Sequence, residues 1–192
     1  MKFVTAKEAI ELIKDNDTIA TSGFVMAQVA EEILTELENK FLETGKPNHL
    51  TFVHAAGQGN GNGGAMDHVA HEGLIKRIVA GHFNLAPKLG ALVKSNAIEA
   101  YNLPQGTISQ WFRAVGGRRP GLITKVGLQT FVDPRLDGGK ISSKSTEDLV
   151  ELMNIDGEEY LRYKQFPINV AIIRGTTADT AGNISCEDEI AS

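Results

Sequence analysis

The most constraining feature of this chain is an apolar stretch near its start that ends abruptly in glycine. Thr18–Thr21 is short, apolar and partly β-branched, which predicts a buried strand. Ser22-Gly23 follows, where glycine permits a tight turn, and a helical pattern begins at about Gln28. A strand, a glycine turn and a helix form the first βα unit of an α/β sheet. Turns of this kind, at the carboxyl ends of parallel strands, are where ligands bind, although a connecting turn without chemistry is the alternative.

The rest of the sequence repeats this alternation of buried strands and amphipathic helices. Further strands are expected over residues 50–55, 74–81, 97–103 and 168–173. Helices are expected over 6–13 (with a Thr5/Glu8 capping box), up to Gly45, over 88–95 and from Ile108 to Gly116, and the Asp-Gly pair at 156–157 predicts a hairpin. We therefore predict an α/β fold, an open and mostly parallel sheet flanked by helices with a β-hairpin region, as one domain over 1–192.

Composition and charge exclude several classes of protein. The chain of 192 residues is 42% hydrophobic and 22% charged, as in globular domains, and contains no apolar run of the ~20 residues that a membrane span needs. A net charge of −5 without a basic stripe argues against a nucleic-acid partner. Cys186 is the single cysteine and no apolar signal core is visible, so we expect a reducing, cytoplasmic compartment.

The candidate binding segments are four loops expected at strand ends. They share backbone N–H groups and small or amide side chains, and they are Ser22-Gly23-Phe24, Gly57–Gly64, Gln105-Gly106-Thr107 and Gly175-Thr176-Thr177. Such groups suit the stabilisation of a carbonyl or an anion better than acid–base work. The glycine run lacks the Lys-Ser/Thr of a phosphate loop and the Gly-x-Gly-x-x-Gly spacing before a long helix, which disfavours a dinucleotide site.

A metal site and a nucleophile are not predicted. Asp67, His68, His71 and Glu72 could share one helical turn, but no third ligand is obvious, so we interpret them as structural or solvent-facing. Cys186 lies beside three acidic residues and has no histidine near it in sequence, which makes it a poor candidate for a nucleophile. The chain thus offers groups that could bind a carbonyl or an anion but no clear nucleophile to attack one.

A resemblance accounts for that combination. Asp15–Gln28 resembles the first signature of family I coenzyme A transferases, with Asp15-Asn16, Ile19-Ala20-Thr21 and Ser22-Gly23-Phe24 in the corresponding places. Four later segments are similar to the family's in the same order: Leu103–Thr107, Arg113–Gly117, Thr124–Arg135 and Arg174–Ile184. The likeness is to the long single-chain acetate/propionate type, whose first half corresponds to the α subunit of two-chain members.

The departures from the family pattern are informative. Ser22 replaces the first glycine of the signature, and Gln28 and Ala30 stand where many members have Gly and Pro. The Ser-Glu-Asn-Gly motif that carries the family's nucleophilic glutamate is absent, and 186–189 does not match it. The resemblance therefore implies that this glutamate lies in a second half and that the segment alone is inactive. Residues 184–192 themselves look like the start of another element, so we expect the chain to stop inside a longer protein.

The resemblance also implies a reaction and a set of site residues. CoA would pass between acetyl-, propionyl-, butyryl- or acetoacetyl-CoA and a carboxylate through a glutamyl-CoA thioester, with CoA as substrate and no tightly bound cofactor. The C-terminal half and further copies of the chain would be partners. The pocket for the oxyanion and substrate would be formed by Ser22, Gly23, Phe24, Val25, Gln105 and Gly106, with Gly57, Gly59 and Gly61 at its mouth.

Two other interpretations stay open at this point. A sugar-phosphate isomerase or deaminase would share the α/β architecture and could use Gly59, Gly61 and Gly63 as a phosphate cradle. A non-catalytic effector-sensing domain of the same fold would explain why no nucleophile is visible.

Overall fold

A computed structural model describes residues 2–189 of the chain. Taken in order, its helices and strands are α1 (Ala6–Ala9), β1 (Thr18–Thr21), α2 (Glu31–Thr44), β2 (Leu50–His54), β3 (Ile75–Ala80), α3 (Pro87–Lys94), β4 (Glu99–Asn102), α4 (Gln105–Gly116), β5 (Gly121–Thr124), β6 (Val150–Ile155), β7 (Glu158–Lys164), β8 (Val170–Ile172), β9 (Thr177–Ala178) and β10 (Ile184–Ser185). Short 3₁₀ turns lie at Ile10–Leu12 and Ala65–Asp67. No helix in the described range is long and apolar enough to span a bilayer.

The central layer is a parallel sheet in the order β4, β3, β2, β1, β8. Because strand side chains alternate between faces, neighbouring residues enter different cores. Phe52 packs with α2 and α3 on one face, while Val53 packs with α4 on the other. The predicted fold class, a mostly parallel sheet between helices, is confirmed.

Local signals set the first helices as expected. The Thr5 hydroxyl accepts the Glu8 N–H at 3.2 Å, and the Glu8 carboxylate accepts the Thr5 N–H at 2.8 Å, so the capping box is formed. α2 ends where Gly45 adopts a φ of +70°, but it begins at Glu31 rather than near Gln28. Gln28 has a φ of +57°, which is incompatible with the first turn of an α-helix.

A separate antiparallel sheet, in the order β5, β7, β6, packs on the α4 side. Its β6–β7 turn has positive φ at both Asp156 and Gly157, as the Asp-Gly pair predicts. Trp111 joins this sheet to α4: it is buried and donates its indole N–H to the Lys164 carbonyl at 2.9 Å.

The last strand of the parallel sheet differs from expectation. The apolar run 168–173 predicts a buried strand, but β8 lies at the sheet edge and Ile173 is 60% exposed. An apolar run alone cannot distinguish a strand buried in its own domain from one with an uncovered face. β9 and β10 then form a small hairpin, and the predicted further element from 184 to 192 falls partly on residues 190–192, outside the described range.

Candidate functional site

A cavity lies at the ends of β1 and β8, where the order in which the strands are added to the sheet changes direction. The chain leaves β1 towards α2 on one face, and it reaches β8 from the α4 face after the antiparallel sheet. β1 and β8 are nonetheless neighbours, so their carboxyl ends flank a topological switch point, the usual ligand position in an open α/β sheet. The cavity that opens there measures about 650 Å³ and is lined by residues of β1, β8 and α4.

The cavity exists because the sheet surface carries small side chains at this place. Under the middle of α4 the sheet presents Val53, which packs in the core. Next to the cavity the corresponding surface is built from Ala20, Ala55 and Ala171, which leave the space unfilled. Phe112 is one wall of the cavity, and none of its lining residues within 2–189 is charged. The site is therefore apolar and suited to excluding water from a reacting group.

The turn after β1 can be made only with glycine. Gly23 has a φ of +131°, and a Cβ placed there would lie 2.7 Å from Val29 Cγ2 and 3.0 Å from the Ala27 carbonyl oxygen. A side chain would thus be strained by its backbone angle and would also collide with the following segment. The glycine lets the chain fold back against the start of the α2 connection while its backbone faces the cavity.

Most backbone donors of this turn are already used. Ser22 N–H donates to the Ile172 carbonyl at 3.1 Å, Phe24 N–H to Ala27 at 3.0 Å, and Val25 N–H to Gly57 at 2.8 Å. In the described part of the chain, Gly23 N–H is the one donor of residues 22–25 without a partner. Of the three backbone N–H groups at residues 23–25, the one at Gly23 is therefore available to a substrate oxygen.

The second polar element of the cavity is the start of α4. The sequence predicts a loop at Gln105-Gly106-Thr107 and a helix from Ile108, but α4 begins at Gln105. Pro104 caps it without a side-chain hydrogen bond, so the N–H groups of the first turn and the positive end of the helix dipole are available. Gln105 is exposed and lines the cavity.

Gly81 places that helix, and sequence reasoning missed its role. A Cβ at Gly81 would lie 2.4 Å from the Ala55 carbonyl oxygen and 3.1 Å from Gln105 Cβ. The glycine therefore lets the first turn of α4 approach the end of β2. The signal available in the sequence is that the third predicted strand ends in glycine, like the first.

The three glycines expected at the mouth of the cavity, Gly57, Gly59 and Gly61, are not among the residues that line it. Gly57 packs against the His82 ring, and Gly59 lies so close to the Leu85 carbonyl that a Cβ would be 2.0 Å from it. Gly61 is exposed and has open space around it. Gly57 and Gly59 are thus required for packing, and none of the three lines the cavity.

Of the expected pocket residues, the structure brings four together around the cavity: Ser22, Gly23, Phe24 and Gln105. Val25 does not line it, because it pairs with Gly57 and Gly59 on the other side of the turn. Gly106 is exposed in the first turn of α4 but also lies outside the lining. Gln58, which was not predicted, is buried directly behind the turn.

His54 is a buried histidine at the end of β2, close to the cavity but not part of its lining. His54 is fully buried on β2 and donates from Nδ1 to the Ala56 carbonyl at 2.6 Å. Burial lowers the pKa of His54 to about 4, only partly opposed by that hydrogen bond, so the ring is neutral at pH 7. His54 does not line the cavity.

Two histidines of the Asp67–Glu72 segment contact glutamates of α2, which agrees with the structural role predicted for this segment. His68 contacts Glu38 at 2.5 Å and Glu31 at 3.0 Å, and His71 contacts Glu38 at 2.6 Å. Burial lowers the pKa of His68, but the hydrogen bonds from both glutamates outweigh it and the net shift is upward. These contacts join the segment to α2. Within residues 2–189, no three His, Cys, Asp or Glu side chains are arranged to hold a metal ion.

The sequence of this chain is similar to a known protein family and to several known enzymes. Residues 3–192 match the family described as Coenzyme A transferase. The chain is 45% identical over 188 residues to the caffeate CoA-transferase of Acetobacterium woodii, covering 98% of this chain and 36% of that enzyme. It is 37% identical over 188 residues to the acetate CoA-transferase YdiF of Escherichia coli (strain K12), covering 97% of this chain and 35% of that enzyme.

A solved structure agrees with the fold throughout. It is the acyl-CoA transferase YdiF of E. coli O157:H7 in a thioester complex with CoA, which matches with a TM-score of 0.93 and 37% identity over 97% of this chain and 36% of that one. The chain thus spans about a third of the length of these three relatives. The resemblance inferred from the Asp15–Gln28 signature is confirmed, and the chain belongs to the coenzyme A transferase family.

Proposed function

We propose that the protein containing this segment transfers CoA between a short-chain acyl-CoA and a carboxylate. The acyl group would be acetyl, propionyl, butyryl or acetoacetyl, and the covalent intermediate would be a glutamyl-CoA thioester. The proposal is supported by the family match, by the relative named an acetate CoA-transferase, and by the thioester complex of a protein with the same fold. CoA is a substrate here and not a resident cofactor.

The observation that carries this proposal is the character of the cavity at the switch point. It is apolar, it has backbone and amide donors at one side, and its described lining contains no carboxylate, imidazole, thiol or amine. A half-site of this kind can stabilise charge on a carbonyl oxygen, but it lacks the carboxylate that the proposed reaction needs. The attacking glutamate would come from sequence beyond the segment, consistent with the relatives' greater length.

The reaction divides one difficult exchange into steps with good leaving groups. The glutamate carboxylate adds to the thioester carbonyl of the acyl-CoA, and CoA leaves as the thiolate, which gives a mixed anhydride. The thiolate then adds to the glutamyl carbonyl and expels the acyl group as a carboxylate, which leaves the glutamyl-CoA thioester. The acceptor carboxylate repeats both steps in reverse.

Each addition places negative charge on a carbonyl oxygen. Gly23 N–H and the Gln105 side-chain amide are the donors we assign to that oxygen, assisted by the positive end of the α4 dipole. Ser22, Phe24, Val25 and Gly106 keep a supporting role, since they form the turn and the helix start on which these two donors sit. The apolar lining would protect the anhydride from water.

The sugar-phosphate and sensor alternatives have less support. A phosphate site would call for cationic side chains, and the described lining of the cavity contains none. The proposed phosphate cradle at Gly59, Gly61 and Gly63 lies outside the cavity lining, and Gly59 is occupied in packing against Leu85. The family match favours the transferase over both.

The test uses the full-length protein incubated with acetyl-CoA that is radiolabelled either in its CoA moiety or in its acetyl group, because only the CoA label stays on the enzyme in the glutamyl-CoA thioester. We expect an enzyme–CoA thioester that hydroxylamine or borohydride destroys, with borohydride leaving a reduced glutamate that peptide mass spectrometry can locate. A Cys186→Ser variant should behave like the wild type. Label on Cys186, or no covalent adduct, would defeat the glutamyl mechanism.

Three further expectations belong to the same proposal. Residues 1–192 expressed alone should not exchange CoA between acetyl-CoA and propionate, because the nucleophile is missing; measurable exchange would contradict this. The full-length protein should self-associate, which light scattering during gel filtration would detect. It should also reside in the cytoplasm, where fractionation would find it with other reduced-thiol proteins.

A further inference from the structure

We propose that Gln58 is a positioning residue that holds the turn after β1 so that the Gly23 N–H faces the cavity. This inference rests on the proposed function, because it assigns the Gly23 N–H a task in the reaction. Gln58 touches neither the cavity nor any reacting atom, so it would act only through the backbone that it binds.

All the polar atoms of the Gln58 side chain are directed at two residues of this turn. The side chain is only 2% exposed. Its Oε1 accepts the Thr21 hydroxyl at 3.0 Å, and its Nε2 donates to the carbonyls of Thr21 at 3.3 Å and Gly23 at 3.5 Å. The amide thus binds the backbone on both sides of Ser22.

The consequence follows from the planarity of the peptide group, which fixes a carbonyl and the next N–H as one unit. The Thr21–Ser22 peptide is held at both ends, by Gln58 at its carbonyl and by Ile172 at its N–H. The Gly23–Phe24 peptide is also held at both ends, by Gln58 and by Ala27. The peptide between them carries the unpartnered Gly23 N–H, so its orientation is determined by two fixed neighbours.

The backbone around Gln58 is built to reach this place. Val25 N–H donates to the Gly57 carbonyl and Gly59 N–H donates to the Val25 carbonyl, both at 2.8 Å. The 57–59 segment therefore runs alongside the turn, and the glycines at 57 and 59 let the same segment pack closely against His82 and Leu85. Gly57 and Gly59 thus help to hold Gln58 behind the turn, although neither lines the cavity.

The chemistry of the position requires an amide. One acceptor is needed for the Thr21 hydroxyl and a donor is needed for two carbonyls, and a glutamine supplies both. A glutamate accepts but cannot donate while it is ionised, and a methionine has a similar length but cannot donate at all. These two residues are the substitutions that test the role.

The kinetic experiment compares Gln58→Met and Gln58→Glu with the wild type in the full-length protein. We expect Gln58→Met to lower kcat by about 10- to 100-fold, the loss typical of a reacting group misplaced by about 1 Å, with KM for acyl-CoA changed less than about twofold. Gln58→Glu should regain part of its kcat as the pH is lowered, because the protonated carboxyl can again donate to a carbonyl. The control is Asn60→Ala, an exposed amide of the same loop whose bonds are internal to it; its kcat should stay within about twofold of the wild type.

A second measurement does not depend on catalysis. Amide hydrogen exchange over residues 21–27 should be at least about tenfold faster in both Gln58 variants than in Asn60→Ala, since the hydrogen bonds that hold the turn are lost.

Unchanged exchange, or a folded Gln58→Met enzyme with wild-type kcat, overturns the positioning role while leaving the transferase proposal intact. If the wild type forms no thioester, the transferase proposal fails and the exchange result alone decides whether Gln58 holds the turn. Circular dichroism identifies any variant that does not fold, and Gln58→Glu then provides the test.

Discussion

Gly23→Ala is the most direct test of the turn after β1. A residue with a Cβ at a φ of +131° costs on the order of 1–3 kcal/mol in backbone strain. The new Cβ would also lie 2.7 Å from Val29 Cγ2 and 3.0 Å from the Ala27 carbonyl oxygen, and relieving such overpacking costs another ~1–3 kcal/mol. If the turn keeps its shape, the free energy of unfolding should fall by about 2–6 kcal/mol.

The turn could instead change shape to relieve this strain, and the substitution would then lower the catalytic rate more than the stability. Movement of the Gly23 N–H away from the developing oxyanion should lower kcat by ~10²–10³, the usual effect of losing one such donor. Urea unfolding and initial rates of CoA exchange, both measured on the full-length protein, separate these outcomes. Either a large loss of stability or a large loss of rate is expected, and both together are allowed.

Gly61→Ala is the matched control. Gly61 also has a positive φ, +72°, but its Cβ would have no neighbour within 4 Å and it does not line the cavity. It should lose only the ~1–2 kcal/mol of a left-handed alanine and keep its rate. The reasoning is refuted if Gly23→Ala loses less than about 1 kcal/mol and retains the wild-type kcat.

Three further perturbations have outcomes that follow from the structure. Gln105→Leu should lower kcat by ~10²–10³ in the exchange assay, because it removes the amide donor and leaves the helix start in place. Thr5→Ala should cost about 1 kcal/mol of unfolding free energy in urea, because it opens the capping box. The pKa of His68 is raised above its ordinary 6.5, so its contribution is present below pH 6.5 and lost as pH rises through the folded value. Thermal unfolding between pH 6 and 9 should show this loss, and Glu38→Gln should weaken it; equal pH dependence in both proteins would contradict the assignment.

Much of the fold could be predicted because its signals are local. The Thr5/Glu8 box, the helix stop at Gly45 and the Asp156-Gly157 turn each depend on residues within a few positions of one another, and the structure has all three. The start of α4 was predicted three residues too late. Pro104-Gln105-Gly106 has the composition of a loop, yet proline is well tolerated at the start of a helix and a glycine in the first turn costs little there.

The candidate site was harder to predict because its geometry depends on distant contacts. Nothing near Gly59 in sequence indicates that Leu85 lies against it, so the glycine run was interpreted as a ligand loop rather than as packing. Gln58 gave no signal either, since a glutamine in a polar loop is ordinary until its burial behind β1 is known. The turn at Gly23 was identified because a strand that ends in glycine is itself a local pattern.

The Gly23 donor that we assign to the oxyanion belongs to the main chain, which has a consequence for how its role could be tested. Replacing Ser22 or Phe24 by alanine leaves every peptide group in place, so a conventional alanine scan across the turn would understate what the turn does. Backbone chemistry would expose it: an ester in place of the Ser22–Gly23 amide replaces the N–H donor by an oxygen atom and leaves the side chains unchanged. Position 23 itself must remain glycine for that donor to stay in place, because the backbone there leaves no room for a side chain.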